Sequence, residues 1–156
     1  MLKNKFLSFI IFIFITFSAS FIGSVATITS KEPWYSSLNK STLNPPDWVF
    51  APVWTTLYLF MTIAIWLAWH KNYKNLNLVY IYFIHLFFNI AWSIVFFVFH
   101  NIFVALINLV IIILFIIYLM LKFKKINNLS FILMIPYLLW CLYALVLNSS
   151  LYILLC

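Results

Sequence analysis

The sequence predicts an all-α integral membrane protein, a bundle of five transmembrane helices, and three observations carry that prediction. Two thirds of the 156 residues are apolar, only 7% are charged, and there is a single glycine. A soluble domain of this length cannot bury so much apolar surface, so the surplus faces lipid. A span takes roughly 20 apolar residues, which leaves room for five spans and short connections. The third observation is where the lysines fall. Five spans gather Lys3, Lys5, Lys71, Lys74, Lys122, Lys124 and Lys125 on one side and leave Lys31 and Lys40, beside Glu32 and Asp47, on the other. That bias sets a cytoplasmic N-terminus and an outer C-terminus. Four or six spans would spoil it. The chain therefore reads as one multi-pass domain, 1–156.

The first span, about 6–28, follows Lys3 and Lys5. A basic start, an apolar run and Ser18-Ala19-Ser20 also fit a cleaved signal peptide, but the run continues to Ile28, longer than such a segment needs. Ala19, Gly23 and Thr27 recur every fourth residue. A small-residue stripe of this kind permits close helix contact, either within the bundle or as a dimer face.

Residues 29–45 form the one long polar connection, an outer loop. Pro33 can open a short helix carrying Trp34 and Tyr35. Aromatics here serve either as interfacial anchors or as a lid over a pocket mouth. The second span, about 46–69, has Asn44 as a possible cap, Pro45 or Pro46 at its first position and Asp47 at its positive end. Pro52 should bend its first turns. Trp54 and Tyr58 lie one turn apart on one face, and Trp66 and Trp69 read as belt residues.

The apolar run from Val79 to Leu121 would be about 64 Å long as a helix, roughly twice a hydrocarbon core, so it must fold back. His100-Asn101 is its most polar point, giving spans of about 79–99 and 102–121. In the former, His85, Asn89, Trp92 and Phe96 share a face. The fifth span, about 129–155, carries Tyr137, Trp140, Ala144 and Asn148 on one stripe, and Pro136 should kink it.

Several function classes are excluded or disfavoured. The net charge of +7 is no nucleic-acid footprint, because the lysines sit between apolar runs without aromatic interleaving. Cys141 and Cys156 on one helix would be over ~20 Å apart, too far for a disulfide. No carboxylate, lysine or arginine lies at membrane depth, which argues against a proton relay or ion pump. There is no metal-ligand spacing, phosphate-cradling loop or serine-histidine-acid set, so no catalytic residue, no metal and no required cofactor is assigned. His85 reads first as a hydrogen-bonded bundle residue and second as an iron ligand. More telling is that Trp54 with Tyr58, Asn89 with Trp92, and Trp140 with Ala144 lie on three separate helices, each pair at helical spacing. If they converge, they enclose a flat-walled apolar cavity with a few N–H and amide groups. Such a cavity suits a planar aromatic or sterol-like ligand.

These motifs resemble the TspO/MBR family, the translocator proteins or tryptophan-rich sensory proteins, also called peripheral-type benzodiazepine receptors. WYSSLNK followed by PPDWVFAPVWTTLY resembles the family's loop and second-helix signature. HLFFNIAWSIVFF resembles its third helix, PYLLWCLYALVLN its fifth, and FIGSVAT its first. The resemblance implies a five-helix bundle, usually a homodimer, whose ligand pocket is closed by the first loop. It also implies binding of tetrapyrroles such as protoporphyrin or haem, or of sterols, with a transport or stress-sensing role. Light-dependent porphyrin breakdown and a scaffold for other membrane proteins are the alternatives. The ligand-binding positions it carries over are Trp34, Tyr35, Trp54, Tyr58, Asn89, Trp92, Trp140, Ala144 and Leu147.

Four departures stand out. His85 replaces a usual glutamine and is a possible haem ligand. Asn108 replaces a common aspartate, and Ser41 stands where the signature has proline. No Lys or Arg follows Tyr152, so the animal sterol motif is missing, and this ending looks like that of a bacterial cell-envelope member.

Overall fold

The computed structural model describes residues 4–72 and 75–155; Lys3, Lys74 and Cys156 lie outside them. Five helices among these residues are long and apolar enough to cross a membrane. Helix α1 covers Lys5–Ser30, and the Asn4 side chain caps it by accepting from the backbone N–H groups of Phe6 and Leu7. One turn of helix, α2 (Trp34–Ser37), interrupts the polar loop. A 3₁₀ turn at Asp47–Val49 leads into α3, Phe50–Lys71. Helix α4 covers Leu76–Ser93, α5 Ile102–Ile126 and α6 Asn128–Leu155. The chain is a multi-pass integral membrane protein.

The helices close into a ring in which α1 packs on α3, α3 on α6, α6 on α5, α5 on α4, and α4 on α1. Lys5, Lys71, Lys122, Lys124 and Lys125 belong to one end of the ring, and the long loop covers the other. Towards the lysine-rich end the ring is filled. Met61, Ala64, Ile65 and Ala68 of α3 meet Tyr82 of α4, Ile116, Leu119 and Phe123 of α5, and Met134 of α6, all fully buried in one core. Trp69 belongs to this core, edge-on to Phe12, and is not the belt residue its position predicted.

A further predicted detail is corrected: Asn44 caps no helix. Its amide oxygen accepts from the Tyr35 hydroxyl at 3.2 Å and its amide nitrogen donates to the Pro45 carbonyl. Pro46, extended, precedes the 3₁₀ turn instead. Of the two readings of the small-residue stripe, Ala19 and Gly23 follow the one within the bundle, since both are buried inside the chain. A Cβ on Gly23 would meet the Ser93 hydroxyl of α4 at 3.3 Å, so glycine sets how closely α1 and α4 approach.

The chain turns at His100-Asn101, as predicted. His100 adopts φ 55, the left-handed conformation that ends a helix sharply, and Asn101 caps α5 by accepting from the N–H of Val104. Just before the turn, residues Ile94–Val98 widen into a π turn, with the Phe99 N–H donating to the Ile94 carbonyl. The wider turn lets consecutive residues Phe96 and Phe97 both point inward.

Candidate functional site

Above the filled half, the ring is hollow. A cavity of about 450 Å³ opens there, within the range of small-molecule pockets. Its walls come from α1 (Gly23, Thr27), α3 (Trp54, Tyr58), α4 (Asn89, Trp92), the π turn after it (Phe96) and α6 (Trp140, Ala144, Leu147). Of the nine predicted ligand-binding residues, eight line this one space: Tyr35, Trp54, Tyr58, Asn89, Trp92, Trp140, Ala144 and Leu147.

The floor is a hydrogen-bonded chain. The Tyr58 hydroxyl donates to the Asn89 amide oxygen. The Asn89 amide nitrogen donates to the Tyr137 hydroxyl at 2.9 Å, and that hydroxyl is 2.8 Å from His85 Nε2. Both ends of the Asn89 amide are thus held inside the protein. His85 lies one helical turn below, fully buried and outside the cavity wall. Its Nε2 is engaged by Tyr137, so the imidazole supports the floor and does not line the cavity. Asn108, with its amide oriented to satisfy both ends, donates to the Phe88 carbonyl and accepts from the backbone N–H of Trp92. It ties α5 to the backbone of α4 just behind the Trp92 wall.

Aromatic contacts stiffen the walls. Trp54 lies 5.7 Å from Tyr58 and 6.2 Å from Tyr137 between ring centroids, and Trp92 stacks on Phe96 at 5.1 Å. Trp140 meets Phe50 edge-on and also borders a second, open groove on the outer face between α3 and α6, lined by Pro52, Thr56, Phe60, Pro136 and Leu139. It is the residue common to the two spaces.

The loop forms the roof. Tyr35 is buried against Phe96 and Phe97, and Lys40 holds it from outside, with its Nζ donating to the Tyr35 carbonyl at 2.8 Å and lying 4.3 Å from the ring centre. Burial, helped by the nearby Asp47 charge, raises the Tyr35 phenol above its ordinary pKa. Lys31, just past the end of α1, pairs with Asp47 in the 3₁₀ turn before α3 across the mouth, with Glu32 at 3.9 Å. Each charge also suits its helix terminus.

Trp34 is the exception among the nine. It stacks on His100 at 4.3 Å and meets Phe96 edge-on, outside the cavity wall. Adjacent residues on a helix point about 100° apart, so a single turn cannot aim both Trp34 and Tyr35 into the cavity. Trp34 instead fixes α2 to the α4–α5 turn. Trp48, which follows the second-span prolines, is 73% exposed.

Sequence reasoning missed Lys31, Asn44 and Asp47 at the mouth, because an ion pair spanning a loop leaves no periodic signal. It also missed Phe97, which the π turn brings inward. Asn148 and Leu151 line the cavity too. Asn148 lay on the predicted α6 stripe but was not singled out.

The comparisons with known proteins agree with this architecture. The TspO/MBR family model matches residues 11–154. The tryptophan-rich protein TspO of Archaeoglobus fulgidus is 33% identical over 86% of this chain and 88% of its own length. The tryptophan-rich sensory protein of Cereibacter sphaeroides is 34% identical over 87% of each. The human translocator protein is 30% identical over 82% of this chain and 78% of its own. With a match across almost the whole chain and the predicted helices in place, this protein belongs to the TspO/MBR family.

Proposed function

We propose that this protein is a membrane receptor or carrier that holds a flat apolar ligand, of the tetrapyrrole class, in the cavity between its helices and beneath its loop. The observation that carries this reading is the convergence of Trp54, Trp92 and Trp140 from three helices on one space, with no Asp, Glu, Lys, Arg or His among the described wall residues below the mouth. Indole faces favour a planar ring system through area burial and offset stacking, and Lys31 at the rim is placed to meet an acidic substituent. A transport or stress-sensing role belongs to the same reading, with the loop as the roof of the site. In the same reading the N-terminus is cytoplasmic, the membrane belongs to a bacterial envelope and the protein is a homodimer. The dimer draws on lipid-facing side chains, since Ala19 and Gly23 are used within the chain.

The test is quenching of protoporphyrin IX and protein fluorescence in nanodiscs. Micromolar binding that falls at least tenfold in Trp54→Ala and Trp140→Ala supports the reading. Absence of binding, or variants indistinguishable from wild type, ends it. The three indoles around one space also favour a second reading, light-dependent breakdown of the bound porphyrin. Illumination of the same complex decides it, through a new absorbing product that requires those tryptophans.

A further inference from the structure

The Asn148 side chain is 2% exposed and lines the cavity, yet neither its amide oxygen nor its amide nitrogen has a hydrogen-bond partner. Every other amide near the site is engaged. Asn89 is held at both ends by Tyr58 and Tyr137, Asn44 by Tyr35 and Pro45, and Asn108 by the backbone of α4. Asn148 is surrounded along α6 by Ala144, Leu147 and Leu151, which offer no side-chain polar atom. A buried amide left without partners costs free energy that an apolar residue of the same shape would not. Its position on the cavity wall makes it the natural contact for whatever fills the space.

We infer that Asn148 is a specificity-determining residue of the cavity, and that it selects ligands bearing a neutral group able both to donate and to accept a hydrogen bond, such as a hydroxyl or carboxamide. The inference rests on the cavity being a ligand site and adds which substituent that site prefers at this position. The amide presents a donor and an acceptor together. A hydroxyl or carboxamide answers both, whereas a carboxylate answers only the donor and sets its charge against the amide oxygen. No cation compensates there, because Lys31, the lysine lining the cavity, is already tied to Asp47 at the mouth. A charged acid belongs at the rim and a neutral polar group at Asn148.

The experiment uses three flat probes in nanodiscs: 1-pyrenemethanol, 1-methylpyrene and 1-pyrenecarboxylate, titrated against the full chain and read by quenching of tryptophan fluorescence. Comparing probes between wild type and variants cancels their different partitioning into lipid. Wild type is expected to prefer the alcohol over the hydrocarbon by about fivefold to tenfold, as one net hydrogen bond provides. In Asn148→Leu that preference falls to about one, while 1-methylpyrene binds as in wild type. Asn148→Ser, which keeps a donor and an acceptor, retains part of the preference and decides the matter if the leucine variant does not fold. A preference that survives in Asn148→Leu, its absence from wild type, or tighter binding of the carboxylate overturns the inference. If none of the probes binds, the ligand-site reading falls and this inference falls with it.

Discussion

The Tyr137 hydroxyl stands between His85 Nε2 and the Asn89 amide, 2.8 Å from one and 2.9 Å from the other. Tyr137→Phe would leave both neighbours buried and short of a partner, at a cost of about 1–3 kcal/mol each. The variant is expected to unfold at a clearly lower temperature in detergent and to bind protoporphyrin more weakly, because Asn89 and Tyr58 lose their anchor. His85→Gln keeps a polar group within reach of Tyr137 and is expected to stay close to wild type. With haem added, the same glutamine variant should give an unchanged Soret band. A band that shifts on this substitution would place iron at His85 and contradict the described floor.

The α1–α4 seam tolerates little at Gly23. Gly23→Ala gains about 1 kcal/mol of helix preference and asks the Ser93 hydroxyl to rotate away from a 3.3 Å contact. The two effects nearly cancel, and a melting temperature within a few degrees of wild type is expected. Gly23→Leu cannot be absorbed this way. Its side chain would push into the cavity that Gly23 lines, so ligand binding should drop by tenfold or more even where the protein still folds. Full binding by the leucine variant would show that α1 is not part of the wall.

Tyr35 gives the loop a pH limit. Its phenol titrates above the usual value of about 10 because burial and the neighbouring Asp47 disfavour the anion. The sign follows by linkage: the docked loop favours the neutral phenol, so the stabilisation is complete below pH ~10 and is lost as pH rises through the raised value. The tyrosinate absorbance difference between wild type and Tyr35→Phe should therefore titrate above the ordinary range. A difference that titrates at or below it would mean the ring is solvated.

Trp34 acts on the site indirectly. Trp34→Ala removes the stack on His100 and the edge contact with Phe96, aromatic contacts that contribute about 0.5–1.5 kcal/mol each beyond burial. The expected outcome is faster ligand exchange with a smaller loss of affinity than Trp54→Ala causes, measured by stopped-flow quenching. Equal losses from both variants would put Trp34 in the wall after all.

Much of this architecture is legible in the sequence. Lipid excludes every spanning solution except satisfied helices and closed barrels, so long apolar runs and lysine positions were enough to divide the chain at His100-Asn101. Helical spacing likewise brought Trp54, Tyr58, Asn89, Trp92, Trp140 and Ala144 together, because residues three and four apart must share a face. Other features depend on contacts between distant segments. Nothing local distinguishes Trp69, packed on Phe12, from a belt tryptophan, and nothing in the loop announces that Asn44 turns back to Tyr35. The π turn defeats the regular spacing that placed Phe96 and so hides Phe97. His85 and Tyr137 each fell on a predicted inward face, but only the fold shows that they meet each other below the floor.

Trp140 remains a special wall. One indole borders an inner chamber and also a furrow open to acyl chains between α3 and α6. A guest that tilted this ring on the inside would reshape the furrow outside, and the bilayer-facing contour of the protein would then differ between a filled and an empty chamber.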